Sequence, residues 1–130
     1  MTNKDKRSNC PISSALDTVG DKWSLLIVRD LLFTNKKTYS DFLKSEEGIA
    51  TNILASRLTT LENAKIIKKY PNQKDGRKDF YKLTKKGSDL IPILIEFTLW
   101  SAKYDKDIVI SKEIVNRAKK IKVALLKNKK

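Results

Sequence analysis

The chain has 130 residues, of which 40% are hydrophobic and 33% charged, and its formal net charge is +13. This is about one soluble, folded domain. With no histidine and a single cysteine, Cys10, the chain lacks the groups for histidine-based catalysis, an intramolecular disulfide or a CxxC zinc site. We therefore predict no catalytic residue, no metal and no cofactor, and a protein that is not an enzyme. No signal peptide or membrane-spanning run is found, which favours the cytoplasm.

The excess of Lys and Arg favours a polyanion as the partner, because cationic side chains neutralise phosphates and release counterions. Charge alone leaves DNA, RNA and a membrane surface open. It is also compatible with a lysine-rich chain in which the charge has no binding role.

Two amphipathic helices are predicted in the first quarter of the chain. After a polar arm at residues 1–9, Pro11 suits a first helical turn, and an apolar stripe follows at helical spacing. Gly20 is expected to end this helix, Pro11–Val19. Asp21 is then expected to cap a second, strongly apolar helix, Lys22–Phe33, which we place in the core.

A third, short helix is predicted to begin after Thr38, which forms a capping-box pattern with Asp41. A fourth helix is predicted at Thr51–Asn63. Its leucines repeat at intervals of four and three residues and are expected to point inward. The inward stripe consists of Leu54, Leu58 and Leu61.

The opposite side of Thr51–Asn63 is small, polar and nearly uncharged, which is unusual in so lysine-rich a chain. Small side chains allow close entry into a DNA groove, and Asn, Ser and Thr can hydrogen-bond to base edges. An ordinary solvated helix face is the alternative. Arg57 lies beside the leucine stripe and is interpreted as a phosphate contact or a packing cation. The predicted DNA-binding residues of this helix are Thr51, Asn52, Ala55, Ser56, Arg57 and Thr59.

A basic β-hairpin is predicted directly after this helix. Its strands are Ile66–Tyr70 and Asp79–Leu83, and Asp75-Gly76 between them is a strong turn signal. We expect the tip residues Lys74, Arg77 and Lys78 to contact the minor groove or the DNA backbone, the alternative being a flexible charged loop. The predicted fold is mainly α with a small β-hairpin (α+β), a winged helix-turn-helix.

Two further helical segments are predicted toward the C-terminus. Thr84 can cap a helix at Lys85–Tyr104, in which Pro92 predicts a kink or a late start. This helix is apolar on several sides, which indicates a subunit interface. Residues 105–130 are strongly basic and favour an amphipathic helix behind a cap at Ser111. Its stripe is predicted to be Ile114, Ala118, Ile121 and Leu125.

An ordered set of short motifs resembles the HxlR-type (DUF24) regulators, relatives of the MarR-like regulators. The resemblance runs from about Cys10 to about Trp100. It implies a winged helix-turn-helix homodimer that contacts itself through its first and last helices and regulates transcription at palindromic double-stranded DNA. The domains implied are a polar arm at 1–9, an HxlR-type DNA-binding and dimerisation domain at 10–104 and a basic helix and tail at 105–130. The motifs are Cys10-Pro11-Ile12, Leu16-Asp17, Gly20-Asp21-Lys22-Trp23, Leu58-Thr59-Thr60-Leu61-Glu62 and Tyr81-Lys82-Leu83-Thr84-Lys85-Lys86-Gly87.

The cysteine of this family pattern maps to Cys10, which some relatives use as a redox sensor of quinones, aldehydes or oxidants. A thiol at a helix N-terminus near Lys6 and Arg7 is expected to ionise more readily, which supports sensing of an oxidant or small-molecule effector. Packing of Cys10 as a small apolar residue at a dimer interface is the alternative.

The sequence departs from the family pattern where Ala50 replaces the usual serine cap, which moves the predicted cap to Thr51. Its hairpin tip is also longer and more charged, and Phe80 replaces a common carboxylate. A basic RNA-binding or nucleoid-associated protein without gene-specific regulation is the alternative function.

Overall fold

The computed structural model describes residues 6–72, 79–107 and 112–127, and the chain divides into two compact units at Ser88 and Asp89. The first unit carries most of the elements and matches the predicted mainly helical fold with one hairpin. Its described elements in chain order are α1 (Pro11–Val19), α2 (Ser24–Phe33), α3 (Tyr39–Leu43), α4 (Thr51–Asn63), β1 (Ile67–Tyr70), β2 (Phe80–Leu83) and α5 (Lys85–Ser88).

Helix α1 has the predicted bounds, whereas α2 begins at Ser24 and not at Lys22. The reason is the Asp21 carboxylate, which accepts hydrogen bonds from the backbone N–H groups of Trp23 and Ser24, both at 3.0 Å. It also accepts the Ser24 hydroxyl at 2.6 Å. These bonds hold residues 22 and 23 in a turn that leads into the helix, so Asp21 caps the segment from further back than predicted.

Helix α3 begins with the predicted capping box. The Thr38 hydroxyl accepts the Asp41 backbone N–H at 3.1 Å, and the Asp41 carboxylate accepts the Thr38 N–H at 3.1 Å. The same carboxylate accepts the N–H of Lys37 at 2.9 Å. Three backbone N–H groups at the start of α3 are thereby satisfied, which stabilises a helix of only five residues.

The hairpin is antiparallel, with Ile67 opposite Leu83 and Tyr70 opposite Phe80. Both predicted strands are present, each one residue shorter at its start. An isolated bridge joins Thr38 to Phe80, and the Tyr81 N–H donates to the Lys37 carbonyl at 2.8 Å. The base of the hairpin is thus tied to the segment that leads into α3.

The core of the first unit lies where α2, α3, α4 and the inner face of the hairpin meet. Its most deeply buried large side chains are apolar, and the rings of Phe42 and Tyr81 lie 6.1 Å apart in a tilted arrangement. Burial of the leucine stripe confirms the predicted inner face of α4. Fully buried apolar members of this core are Val28, Phe42, Leu54, Leu61 and Ile67.

One carboxylate, that of Asp30 on α2, lies inside this core with 3% of the residue exposed. Arg29 pairs with it at 2.9 Å, and the Ser45 hydroxyl donates to it at 2.7 Å. Arg29 also bonds Glu47 with two contacts, at 2.8 and 3.0 Å. Burial of this charge is tolerated because its oxygens are satisfied.

The second unit contains α6 (Ile91–Tyr104) and α7 (Lys112–Lys127), which pack on each other. The prediction of one helix over Lys85–Tyr104 is wrong, because α5 ends at Ser88 and a separate helix, α6, begins at Ile91 with Pro92 in its first turn. The late start expected from proline is confirmed. The Ser111 cap lies outside the described residues.

The stripe of α7 needs one correction. Ala118 is buried and Ile121 and Leu125 are half-buried, as predicted, but Ile114 is 51% exposed and Val115 is half-buried. The buried face of α7 is therefore rotated from the predicted one at its N-terminal end. Within the described residues, no helix has both the length and the apolar character needed to cross a membrane.

Candidate nucleic-acid interface

Helix α4 begins directly after Ala50, which occupies the cap position without a side-chain hydrogen bond. The prediction that Thr51 caps the helix is wrong, because Thr51 is already its first helical residue. The Thr51 carbonyl accepts the hydroxyl of Tyr39 at 2.9 Å, and the Ala50 carbonyl accepts the Leu54 N–H at 2.9 Å. A contact from α3, and not a side-chain cap, therefore fixes the start of α4.

The outward side of α4 carries the small uncharged residues singled out in the sequence. These residues and the buried leucines alternate along the sequence with the helical period, so the small side chains form one row on the side of α4 opposite the leucines. The Thr59 hydroxyl donates back to the Ala55 carbonyl at 3.1 Å, which leaves its oxygen lone pairs as acceptors. Their contact with DNA stays a prediction. The exposed residues of this row are Thr51, Asn52, Ala55, Ser56 and Thr59.

Arg57 differs from this row because it is half-buried and tethered. Its guanidinium lies 3.7 Å from the Asp21 carboxylate and donates to the Ser56 hydroxyl at 3.2 Å. Partial burial would raise the pKa of Asp21, but hydrogen bonds from Ser24 and Trp23 and the charge of Arg57 hold it below its usual value. Of its two predicted roles, this geometry favours the packing cation.

The end of α4 sets the direction of the hairpin. Lys65 has a φ of +65°, and the Ile66 N–H donates to the Leu61 carbonyl at 3.0 Å, which is a Schellman ending. The Thr84 hydroxyl donates to the Lys65 carbonyl at 2.5 Å, and the Lys86 ammonium donates to that of Ala64 at 2.8 Å. The C-terminal end of α4 is thus joined to the segment that follows β2.

The outer face of the hairpin carries a cluster that the sequence analysis missed. The rings of Tyr70 and Phe80 stack with centroids 5.6 Å apart, and the ammonium groups of Lys68 and Lys82 lie 5.4 and 5.3 Å from the Tyr70 ring. Lys68 and Lys82 are directly opposite in the register. Pairing of like charges across a hairpin was detectable only once the register was known.

The predicted tip residues Lys74, Arg77 and Lys78 lie outside the described residues, so their contact with DNA stays a prediction. On the inner side of the same hairpin, the Lys69 ammonium lies 3.9 Å from the Asp79 carboxylate, so this lysine has an ion-pair partner within the chain.

Cys10 is exposed and precedes the first residue of α1. The two cations that the sequence places near it have other partners. The Lys6 ammonium donates to the Ser14 hydroxyl at 3.0 Å, and Arg7 pairs with Asp17 at 2.6 Å. Both cations are therefore engaged by residues of α1 and not by Cys10, whereas the exposure of the thiol to solvent supports reactivity. Among the described residues, no three Cys, Asp or Glu side chains are grouped to hold a metal ion.

A helix-turn-helix followed by a β-hairpin is an arrangement that binds DNA. Residues 18–108 match the family model described as HxlR-like helix-turn-helix. The chain therefore belongs to the HxlR-like helix-turn-helix family and is a DNA-binding transcriptional regulator. The predicted family and the predicted winged helix-turn-helix fold are confirmed.

Three relatives illustrate the likeness. The HTH-type transcriptional regulator YdeP of Bacillus subtilis (strain 168) is 28% identical over 116 residues, which cover 89% of each chain. The structure of PA1607, a proposed transcription factor, is 36% identical with a TM-score of 0.73, over 84% of this chain and 76% of PA1607. The transcriptional regulator YodB from B. subtilis, in its reduced form, is 26% identical with a TM-score of 0.61, over 78% of this chain and all 100% of YodB.

YodB has also been solved after diamide treatment and with a bound quinone. Several other curated relatives are longer than this chain, which spans 58% of their length.

Proposed function

We propose that the chain is a cytoplasmic homodimer that binds a palindromic operator, with the exposed row of α4 in the major groove and the hairpin against the backbone or minor groove. The observation that carries this proposal is the exposed row itself. Its side chains are small and uncharged on a helix whose opposite side is buried, in a chain of net charge +13. Such a row can approach base edges closely, while cations elsewhere supply affinity for phosphate.

The test is a binding competition between an operator duplex, a scrambled duplex and bulk RNA. Asn52→Ala and Ser56→Ala are expected to reduce operator preference by about 1–3 kcal/mol for each good base contact that is lost. Asn63→Ala is the matched control, because Asn63 is exposed on the same side of α4 but at its far end. Equal loss in all three variants, or equal competition by RNA, would contradict the proposal.

Dimer formation is supported by an apolar row on α6. Ile93, Phe97, Trp100 and Tyr104 recur at helical spacing, and Trp100 is 66% exposed. Large aromatic side chains in such a row are typical of subunit interfaces. Light scattering should give a dimer mass for the wild type and a lower mass for Trp100→Ala. Lys103→Ala is the control, because Lys103 lies next to this row and its loss should leave the dimer intact. A monomeric wild type would contradict dimer formation.

Control by a thiol oxidant is the second part of the proposal and is favoured by the exposure of Cys10. Structures of YodB, a relative of this chain, have been solved in reduced, diamide-treated and quinone-bound forms. Diamide is expected to change the operator affinity of the wild type and to leave that of Cys10→Ser unchanged. An unchanged wild type would remove the sensing role and leave the DNA-binding proposal intact.

A further inference from the structure

Helix α7 lies beyond the family model, which ends at residue 108, and its described part runs over the 16 residues Lys112–Lys127. One side of it packs in the second unit, through buried Ala118 and half-buried Val115, Ile121 and Leu125. Lys122 is bound to this side by an ion pair with Glu96 at 2.7 Å. The opposite side of α7 remains exposed over the length of the helix, about 24 Å at the usual rise.

That exposed side is strongly and unevenly charged. It carries one carboxylate, Glu113, against five cations. Within the part of the chain that the structure describes, none of the five forms an ion pair, in contrast to Lys122. Like charges three or four positions apart destabilise a helix slightly, so an anionic partner would relieve this repulsion. The five cations, which we call the basic face of α7, are Lys112, Arg117, Lys119, Lys120 and Lys127.

We propose that the basic face of α7 is a second DNA-binding surface, which contacts backbone phosphates without reading sequence. Lysine and arginine on a helix are suited to phosphate contact, and each neutralised phosphate releases counterions. The basic face has no row of amide or hydroxyl side chains comparable with that of α4, so it adds affinity and not preference. The basic face consists of other residues than those of α4 and the hairpin, and the proposal does not depend on the residue roles proposed for them.

A membrane surface is the competing anionic partner. Val123 and Leu126, which are 51% and 60% exposed, lie among the lysines. Membrane-bound amphipathic helices bury a broad apolar face, and here the only broad apolar side of α7 is the one already packed. The observations therefore favour DNA, and lipid binding becomes an outcome of the test.

The test measures binding of the full chain to a scrambled duplex over a range of salt concentrations. The salt slope is the steepness with which the logarithm of the binding constant falls as the logarithm of the salt concentration rises. Lys119→Gln and Lys120→Gln are each expected to make this slope shallower by about one, and the double variant by about two, with weaker binding at low salt. The ratio of operator to scrambled affinity should stay the same. Glutamine forms helices well, and far-UV circular dichroism should confirm that α7 persists.

Lys122→Gln is the matched control, because it removes the same charge from the same helix at a position already paired with Glu96. It should lower the slope by clearly less than one. The proposal is overturned if Lys119→Gln and Lys120→Gln behave like Lys122→Gln. It is equally overturned if they leave duplex binding intact but abolish binding to phosphatidylglycerol vesicles. A loss of operator preference in α4 variants alone would bear on the function proposed above and not on α7.

Discussion

Lys65 holds a left-handed backbone conformation, with φ of +65°, at the point where α4 turns into the hairpin. A side chain makes this conformation costly, by about 1–2 kcal/mol, whereas glycine adopts it freely. The strain is tolerated because the Schellman hydrogen bonds and the Thr84 hydroxyl both require this path of the chain.

Lys65→Gly should therefore raise the free energy of unfolding by about 0.5–1 kcal/mol, after the greater freedom of glycine in the unfolded chain is subtracted. Urea denaturation would measure the change. Lys65→Ala serves as the control, since alanine removes the charge but keeps the β-carbon. A stabilisation by alanine equal to that by glycine would show that charge, and not backbone strain, is responsible.

Asp21 restrains Arg57 at the edge of α4 while its oxygens cap the start of α2. Asp21→Asn keeps a capping oxygen but removes the charge that attracts Arg57. Freed Arg57 can then reach a phosphate, so we expect DNA affinity to rise by up to about fivefold, which corresponds to about 1 kcal/mol for a weak ion pair. The salt slope should steepen by about one.

Binding measured by fluorescence anisotropy distinguishes this tether from a purely structural role. Asp21→Ala should lose the cap as well and destabilise the fold by about 1 kcal/mol. If Asp21→Asn lowers DNA affinity at unchanged stability, Arg57 needs its partner in order to bind, and the tether is part of the binding surface.

At the scale of secondary-structure elements, the two faces of the hairpin carry lysines in different surroundings. Lys68 and Lys82 face outward over the Tyr70 ring, whereas Lys69 faces the other way and lies near Asp79. Lys68→Gln and Lys82→Gln should each weaken binding to all duplexes and lower the salt slope by about one. Lys69→Gln should do clearly less. A change of sequence preference in the Lys68 variant would contradict a backbone-only role for this face.

Elements whose signals are local could be predicted well. The capping box of Thr38 and Asp41 and the leucine stripe of α4 depend on spacing alone, and both are present. The exposed row of α4 followed from the same stripe, because residues opposite a buried face must be exposed.

Features that depend on distant partners could not be predicted. The bridge between Thr38 and Phe80 joins segments about forty residues apart, and no local pattern indicates it. The choice of Val115 over Ile114 depends on which side of α7 meets its neighbour. The late start of α2 depends on the hydrogen-bond geometry of Asp21, which a capping preference alone does not specify.

At the scale of the whole molecule, we expect acid to lower the free energy of unfolding through a few carboxylates whose pKa values are lowered by folding. Hydrogen bonds from Arg29 hold the pKa of Glu47 below its ordinary 4.5, and those from the Lys37 and Thr38 N–H groups lower the pKa of Asp41. As pH falls, a carboxylate whose pKa is lowered by folding binds its proton in the unfolded chain before it does so in the folded chain. Their contribution to stability is complete above the unfolded pKa and is lost as pH falls through the folded pKa.

We therefore expect the free energy of unfolding to decline as pH falls from about 5 to below 4, with little change just above that range, since the chain has no histidine. Urea denaturation at a series of pH values measures the profile. Glu47→Gln should flatten its acid limb, because one linked proton is removed. A stability that stays constant or rises on acidification would exclude this linkage.

The tie between the hairpin and the segment before α3 has a consequence for the operator. Phe80 pairs with Thr38, and Tyr81 bonds the Lys37 carbonyl, so the base of the hairpin cannot swing freely against the helix-turn-helix. One inserted base pair moves the next contact by about 3.4 Å and turns it by about 35° around the duplex axis. Operators should therefore tolerate a changed base between the groove contacts of one half-site far better than an added one.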